Sequence, residues 1–155
     1  MWDPDAPTRR HFQRLDYFAH DPRWRVDGHW EPAPDAHVLA IQEVTGRVCD
    51  ESSPGTVVFS VDGHEQRLAA LEDLETHDLF ILFRDATAGK TTYGPGRFLH
   101  AAKPGPDGRL VIDFNYAYNP PCAFTPFATC PIPPRQNWLS LPIKAGEKRY
   151  RGGHH

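Results

Sequence analysis

The sequence predicts an all-β domain: a small antiparallel barrel or sandwich with a Pro-rich covering loop and at most one or two short helices. Three observations carry this. Several short segments alternate apolar and polar residues with a period of two, the pattern of a strand with one buried face. Turn residues separate these segments at regular spacing. Proline outnumbers glycine, 16 to 12, which argues against long helices and for strands joined by stiff loops.

Taken in order, "TRRHFQRLDYF" sets Phe12, Leu15 and Phe18 at near-helical spacing, which predicts a short N-terminal helix ended by Asp21-Pro22. In "RWRVDGHWE", Trp24, Val26 and Trp30 alternate with Arg23, Arg25, His29 and Glu31, giving a first strand. "EPAPDA" reads as a turn, "HVLAIQEV" as a second strand and "TGRVCDESSPG" as a loop. Val57, Phe59 and Val61 then run into Asp62-Gly63, a pair that permits the positive φ of a tight hairpin turn. Leu68, Leu71 and Leu74 are spaced by three, so a helical turn over "RLAALEDLE" is the alternative to the returning strand. "DLFILFRDA" is a buried strand and "TAGKTTYGPG" a turn-rich loop. "RFLHAA" and "RLVIDFNYA" are strands joined by "KPGPDG" as a hairpin, and "WLSLPIKAGEKRY" supplies a last extended segment. The expectation is seven to nine short strands in one domain over residues 1–150, with 151–155 a disordered tail or tag remnant.

Composition narrows the function classes. Hydrophobic residues make up 39% and aromatics 12%, as in globular proteins. The net charge of −3, with arginines spread along the chain, lacks the basic patch of a nucleic-acid binder. No apolar run approaches the roughly 18 residues of a membrane helix. The N-terminus has no signal-peptide pattern, and three cysteines make no complete disulfide set, so a cytoplasmic setting is expected.

The most unusual stretch is "DFNYAYNPPCAFTPFATCPIPP", Asp113 to Pro134, with six prolines, five aromatics, two asparagines and two cysteines. Together with "TYGPGRFLHA" before it and "RQNWLSLPIKAGEK" after it, this block closely resembles a family known as DUF1684, a domain of unknown function. The matching positions include Tyr93, Gly96, Arg97, Phe98, Asp113 to Asn115, Ala117 to Phe124, Cys130, Asn137 and Ala145 to Glu147. "SPG" at Ser53 to Gly55 and "FRDAT" at Phe83 to Thr87 fit as well, and the resemblance spans roughly Tyr17 to Tyr150. It implies an all-β fold and carries no activity. It also implies that many relatives have an additional N-terminal segment, and that His100 stands where an aromatic is more usual.

The chemistry must then come from the residues. Asp113 and Asn115 share one face of a strand, with Tyr118 and Asn119 at its end. With Arg97, a bidentate clamp for carboxylate or phosphate, and Tyr93, they make a candidate ligand pocket. The alternative is structural: seven prolines between Asn119 and Pro142 remove seven N–H donors, and asparagine side chains can serve the carbonyls left over. Glu147 is a candidate general base or an ion-pair partner of Arg97, and Arg84 and Asp85 read as an ion pair or turn cap. Cys122 and Cys130, seven residues apart, are weak metal ligands with His100, Asp113 or Glu147 as possible partners; a disulfide, a reactive thiolate or simple packing are the other readings. No nucleotide-binding or G-x-S-x-G motif is present, so no cofactor is expected. Three functions follow: a domain binding a small anionic metabolite in a polar pocket under the Pro-rich loop, a cofactor-independent hydrolase using Asp113 or Glu147, or a structural domain without a pocket. Nucleic acid and membrane are not expected as partners, and nothing in the sequence sets an oligomeric state.

Overall fold

A computed structural model describes residues 16–149 apart from 74, 121–122 and 124–129, and only the backbone of 34–37. Six strands form one antiparallel sheet: β1 (Arg25–Gln42), β2 (Val48–Val61), β3 (His64–Glu72), β4 (Leu79–Phe83), β5 (Arg97–Ala101) and β6 (Arg109–Asp113). Their order across the sheet is β5-β4-β3-β2-β1-β6. The sheet curls into a half-barrel, and among the described residues the only helical pieces are short 3-10 turns.

The β2–β3 hairpin forms as Asp62-Gly63 predicts: φ is 51° at Asp62 and 80° at Gly63, and Val61 faces His64 across the turn. The inner face carries Val57, Phe59, Leu68, Ile81, Leu99, Leu110 and Ile112, which pack around Phe83 and Phe114. Each large side chain removed from water there contributes about 1.5–3 kcal/mol. A second core lies on the other face, where Leu39, Ile41, Leu82, Phe98 and Tyr93 are covered by Ala123 and Cys130 of the Pro-rich segment.

Four expectations are corrected. "EPAPDA" is not a turn: β1 runs through it as one strand of 18 residues, with its register slipping between Pro32 and His37. β6 pairs only with Arg25 to His29, so this part of β1 is open on one side and tolerates prolines that donate nothing. "TGRVCDESSPG" is not a loop beyond its first residues, because β2 already begins at Val48. Among the described residues there are six strands, since merging these pieces lowers the count and the described part of "WLSLPIKAGEKRY" contributes isolated bridges at Trp138 and Glu147.

Finally, "KPGPDG" does not close a hairpin: β5 and β6 lie at opposite ends of the strand order. They approach only because the sheet curls. Phe98 of β5 exchanges both backbone hydrogen bonds with Tyr118 beyond β6, at 2.9 and 3.0 Å, and this seam joins the two edges. Most of the proposed N-terminal helix falls outside the described residues; Tyr17, within them, makes a β-bridge to Glu147.

Candidate functional site

The nominated residues do not converge on one cavity. Among the described residues they fall into three clusters, the first and third joined through Glu147, and most of their polar atoms have protein partners; Arg97 Nε and Asn119 Oδ1 do not. Arg97 opens β5 on the inner face, and Gly96 before it has φ 135°, where an added Cβ would sit 2.6 Å from the Phe83 carbonyl oxygen. This close approach lets the guanidinium enter the barrel end, where Arg97 is 1% exposed and lies 5.1 Å over the Phe83 ring. Its Nη1 donates to the carbonyls of Ala145 and, at 3.2 Å, Glu147. Its Nη2 donates to the Ile143 carbonyl at 3.1 Å and to Asp85 Oδ1 at 3.4 Å. Asp85 also accepts from the Ile143 N–H at 2.6 Å and the Thr87 hydroxyl at 2.7 Å. Burial lowers the Arg97 pKa, and the neighbouring Asp85 and Glu147 oppose that shift. The planar donor fork that could have gripped a ligand therefore holds the segment 143–147 instead.

Asp113 is not beside Arg97. Its neighbour Ile112 points into the core, so Asp113 faces the other side, in register with Arg25 of β1. It caps the 3-10 turn Phe114–Tyr116, accepting from the Asn115 N–H at 3.0 Å and from Asn115 Nδ2 at 2.8 Å. Asn115 then clasps the Asp21 backbone, donating to its carbonyl at 2.9 Å and accepting from its N–H at 3.0 Å.

In the third cluster, the Tyr118 hydroxyl lies 2.7 Å from His100 Nε2, and the two rings stack at 4° with Phe80 beyond them. Asn119 donates to the Lys148 carbonyl at 2.9 Å and to Glu147 Oε2 at 3.2 Å. Burial raises the Glu147 pKa against the opposing pull of an Asn119 hydrogen bond and the Arg97 charge. Tyr93 packs in the second core, as does Cys130, while Cys122 lies outside the described residues. Among the described residues no group of three His, Cys, Asp or Glu side chains is placed to hold a metal ion.

Two side chains had more to do than their sequence context announced. Asn137 is 1% exposed and fills the gap where β3 and β4 diverge. It accepts from the Ala69 N–H at 2.8 Å and donates to the carbonyls of Ala69 and Leu82 at 2.9 and 2.7 Å. Asp85 anchors Arg97. The "NW" and "FRDAT" motifs contain both residues, yet neither motif shows which distant backbone groups need them.

A groove of about 520 Å³ opens elsewhere, at the mouth of the half-barrel. Its floor is Trp24, Val26, Val61 and Leu141, all packed against the inner core. Its rim carries Arg23, Arg25 and Lys144 together with Asp27 and Asp62. Arg23 is engaged with Asp21 at 3.5 Å, whereas Arg25 and Lys144 have no carboxylate within ion-pair distance among the described residues. The Asn115–Asp21 clasp positions the turn Pro22–Trp24, and hence this rim. The sequence singled out these groove residues only for the alternation of "RWRV" and the hairpin at Val61-Asp62, not as a site.

The family model for DUF1684, a protein of unknown function, matches residues 10–148. The chain belongs to this family. A solved structure of similar fold is that of the uncharacterized protein from gene locus rrnAC0354 of Haloarcula marismortui, determined by solution NMR. It is 32% identical, with a TM-score of 0.72 over 94% of this chain and 82% of that one. No curated protein matches the chain. Arg97, Asp113, Asn115, Asn119, Asn137 and Gly146 all lie within the matched range and all knit this barrel together. In Gly146, φ is 79° and an added Cβ would lie 2.7 Å from the Ala117 carbonyl oxygen.

Proposed function

We propose that this domain binds a small anionic metabolite at the mouth groove, with Arg25 and Lys144 as the charge-reading residues. The observation that carries the reading is Lys144, an exposed cation with no carboxylate within ion-pair distance among the described residues, beside an apolar floor in a cavity of about 520 Å³ that Arg25 borders. Small-molecule sites typically occupy about 300–1,000 Å³ with mostly apolar walls and a few placed polar groups. The groove is preferred over the Arg97 and Asp113 neighbourhoods because both Nη groups of Arg97 and the Asp113 carboxylate already serve the fold. Lys144 stands between Ile143 and Ala145, whose carbonyls are both held by Arg97, so its backbone is fixed before any ligand arrives. Such preorganisation lowers the cost of binding.

The test is titration calorimetry of the intact chain with 3-phenylpropionate, citrate and inorganic phosphate. Saturable binding of at least one, weakened by salt and by Lys144→Ala or Arg25→Ala, is expected. Absence of binding by all three overturns the reading. A hydrolase reading rests on Glu147 alone, whose pKa burial raises into the direction useful for an acid or base. It requires turnover of an ester or amide that Glu147→Gln abolishes while the fold is kept. A cytoplasmic setting remains part of the proposal, supported by the odd cysteine count.

A further inference from the structure

We infer that the mouth groove takes a zwitterion with an apolar body, the chemistry of an apolar α-amino acid. This rests on the reading of the groove as a ligand site; it keeps the carboxylate-to-cation contact and replaces a net anion by a ligand with no net charge. The rim holds unmatched charge of both signs. Asp27 and Asp62 line the groove alongside Arg25 and Lys144, and among the described residues neither acid has a cation within ion-pair distance.

The fold keeps the rim charges apart. Asp62 sits at the tip of the β2–β3 hairpin with φ 51°, and Asp27 is fixed in β1 opposite Val111 of β6. Lys144 belongs to the segment clamped by Arg97, and Arg25 is held in register with Asp113. Asp62 and Lys144 stand on separate backbone elements and meet no counter-charge within ion-pair distance among the described residues, whereas Arg25 and Asp27 share the face of β1 opposite to Val26 and border the groove. A ligand with one charge satisfies one sign and leaves the other hydrated. A ligand with an ammonium and a carboxylate satisfies both through charge-assisted hydrogen bonds. The floor of Trp24, Val26, Val61 and Leu141 offers the apolar contact that a hydrocarbon side chain needs.

The probes are L-phenylalanine and L-leucine, with 3-phenylpropionate and 2-phenylethylamine as the forms of the first that lack one charge each. Calorimetry on the intact chain at low salt should find one of the amino acids bound at least about tenfold more tightly than either singly charged form, a difference of about 1.4 kcal/mol. Asp62→Asn, which suits a positive φ, should fold normally and remove the preference over 3-phenylpropionate. Equal affinity for L-phenylalanine and 3-phenylpropionate, with L-leucine no tighter, overturns the zwitterion inference and leaves the anion reading standing. Tightest binding of 2-phenylethylamine, or no binding by any probe together with none by citrate or phosphate, overturns both.

Discussion

Arg97 and Asp85 form an ion pair whose side chains are each 1% exposed. Deleting either charge leaves its partner stranded where water cannot reach. Arg97→Leu removes the donors for Asp85 and for the carbonyls of Ile143, Ala145 and Glu147. Asp85→Asn keeps the shape and leaves the guanidinium without its counter-charge. Breaking a buried pair from one side costs about 3–5 kcal/mol, a large part of the roughly 5–15 kcal/mol that holds a domain together. With a urea dependence of about 2 kcal/mol per molar, the midpoint should fall by about 2 M in either single variant. The double variant should be less destabilised than the sum of the two, with a coupling energy of about 1–3 kcal/mol. Equilibrium urea denaturation of the four proteins, followed by tryptophan fluorescence, gives that number directly. Single variants within about 0.5 kcal/mol of the parent, or additive losses, would refute the clamp. An Arg97/Asp113 cycle serves as the control and should show no coupling.

Other expectations concern the same scaffold. Burial raises the Glu147 pKa above its ordinary 4.5, so the folded state holds more proton than the unfolded chain between 4.5 and the folded value. This residue's contribution to stability is therefore present in full below that window and is lost as pH rises through it. Glu147→Gln should flatten this pH dependence, as read from urea midpoints between pH 4 and 8; an unchanged profile would reject the assignment. Asn137→Ala should cost about 3 kcal/mol, because it leaves the Ala69 N–H and two carbonyls unserved between β3 and β4, and hydrogen exchange at Ala69 should accelerate. Gly96→Ala should cost about 1–3 kcal/mol from its φ of 135° and the contact with the Phe83 carbonyl, measured as a lowered melting temperature; a neutral effect would mean the turn relaxes freely.

How much of this was legible depends on the range of the interaction that decides it. The β2–β3 hairpin could be read because Asp62-Gly63 carries its own backbone geometry and the flanking alternation shows which residues face inward. β1 could not be read as a single strand, because Pro32 and Pro34 signal a break unless one knows that β6 stops pairing at His29 and leaves that edge open among the described residues. The adjacency expected of β5 and β6 failed for a related reason: "KPGPDG" looks like a hairpin turn, but the seam at Phe98 and Tyr118 is made by the curvature of the whole sheet. The site residues divide the same way. That asparagines would serve stranded backbone groups follows from the prolines, and Asn115 and Asn119 do so. That Arg97 would choose Asp85 over Asp113 depends on which face of the sheet each occupies, and this is settled by the strand order. The mouth groove gave no motif at all, since its lining comes from β1, the β2–β3 turn and the segment 141–144.

The Arg97 clamp also has a consequence for the order in which the chain can fold. Its carbonyl acceptors lie 46 to 50 residues further along the sequence. During synthesis, β5 is therefore complete well before the groups that must receive its guanidinium exist. Until residues 143–147 arrive, packing Phe83 and Leu99 inward would bury a guanidinium with Asp85 as its counter-charge but without the three carbonyls that take its remaining donors, which favours an open barrel end. The last turn of the domain acts as a latch: a chain stopped short of it lacks part of its core and the means to bury the rest.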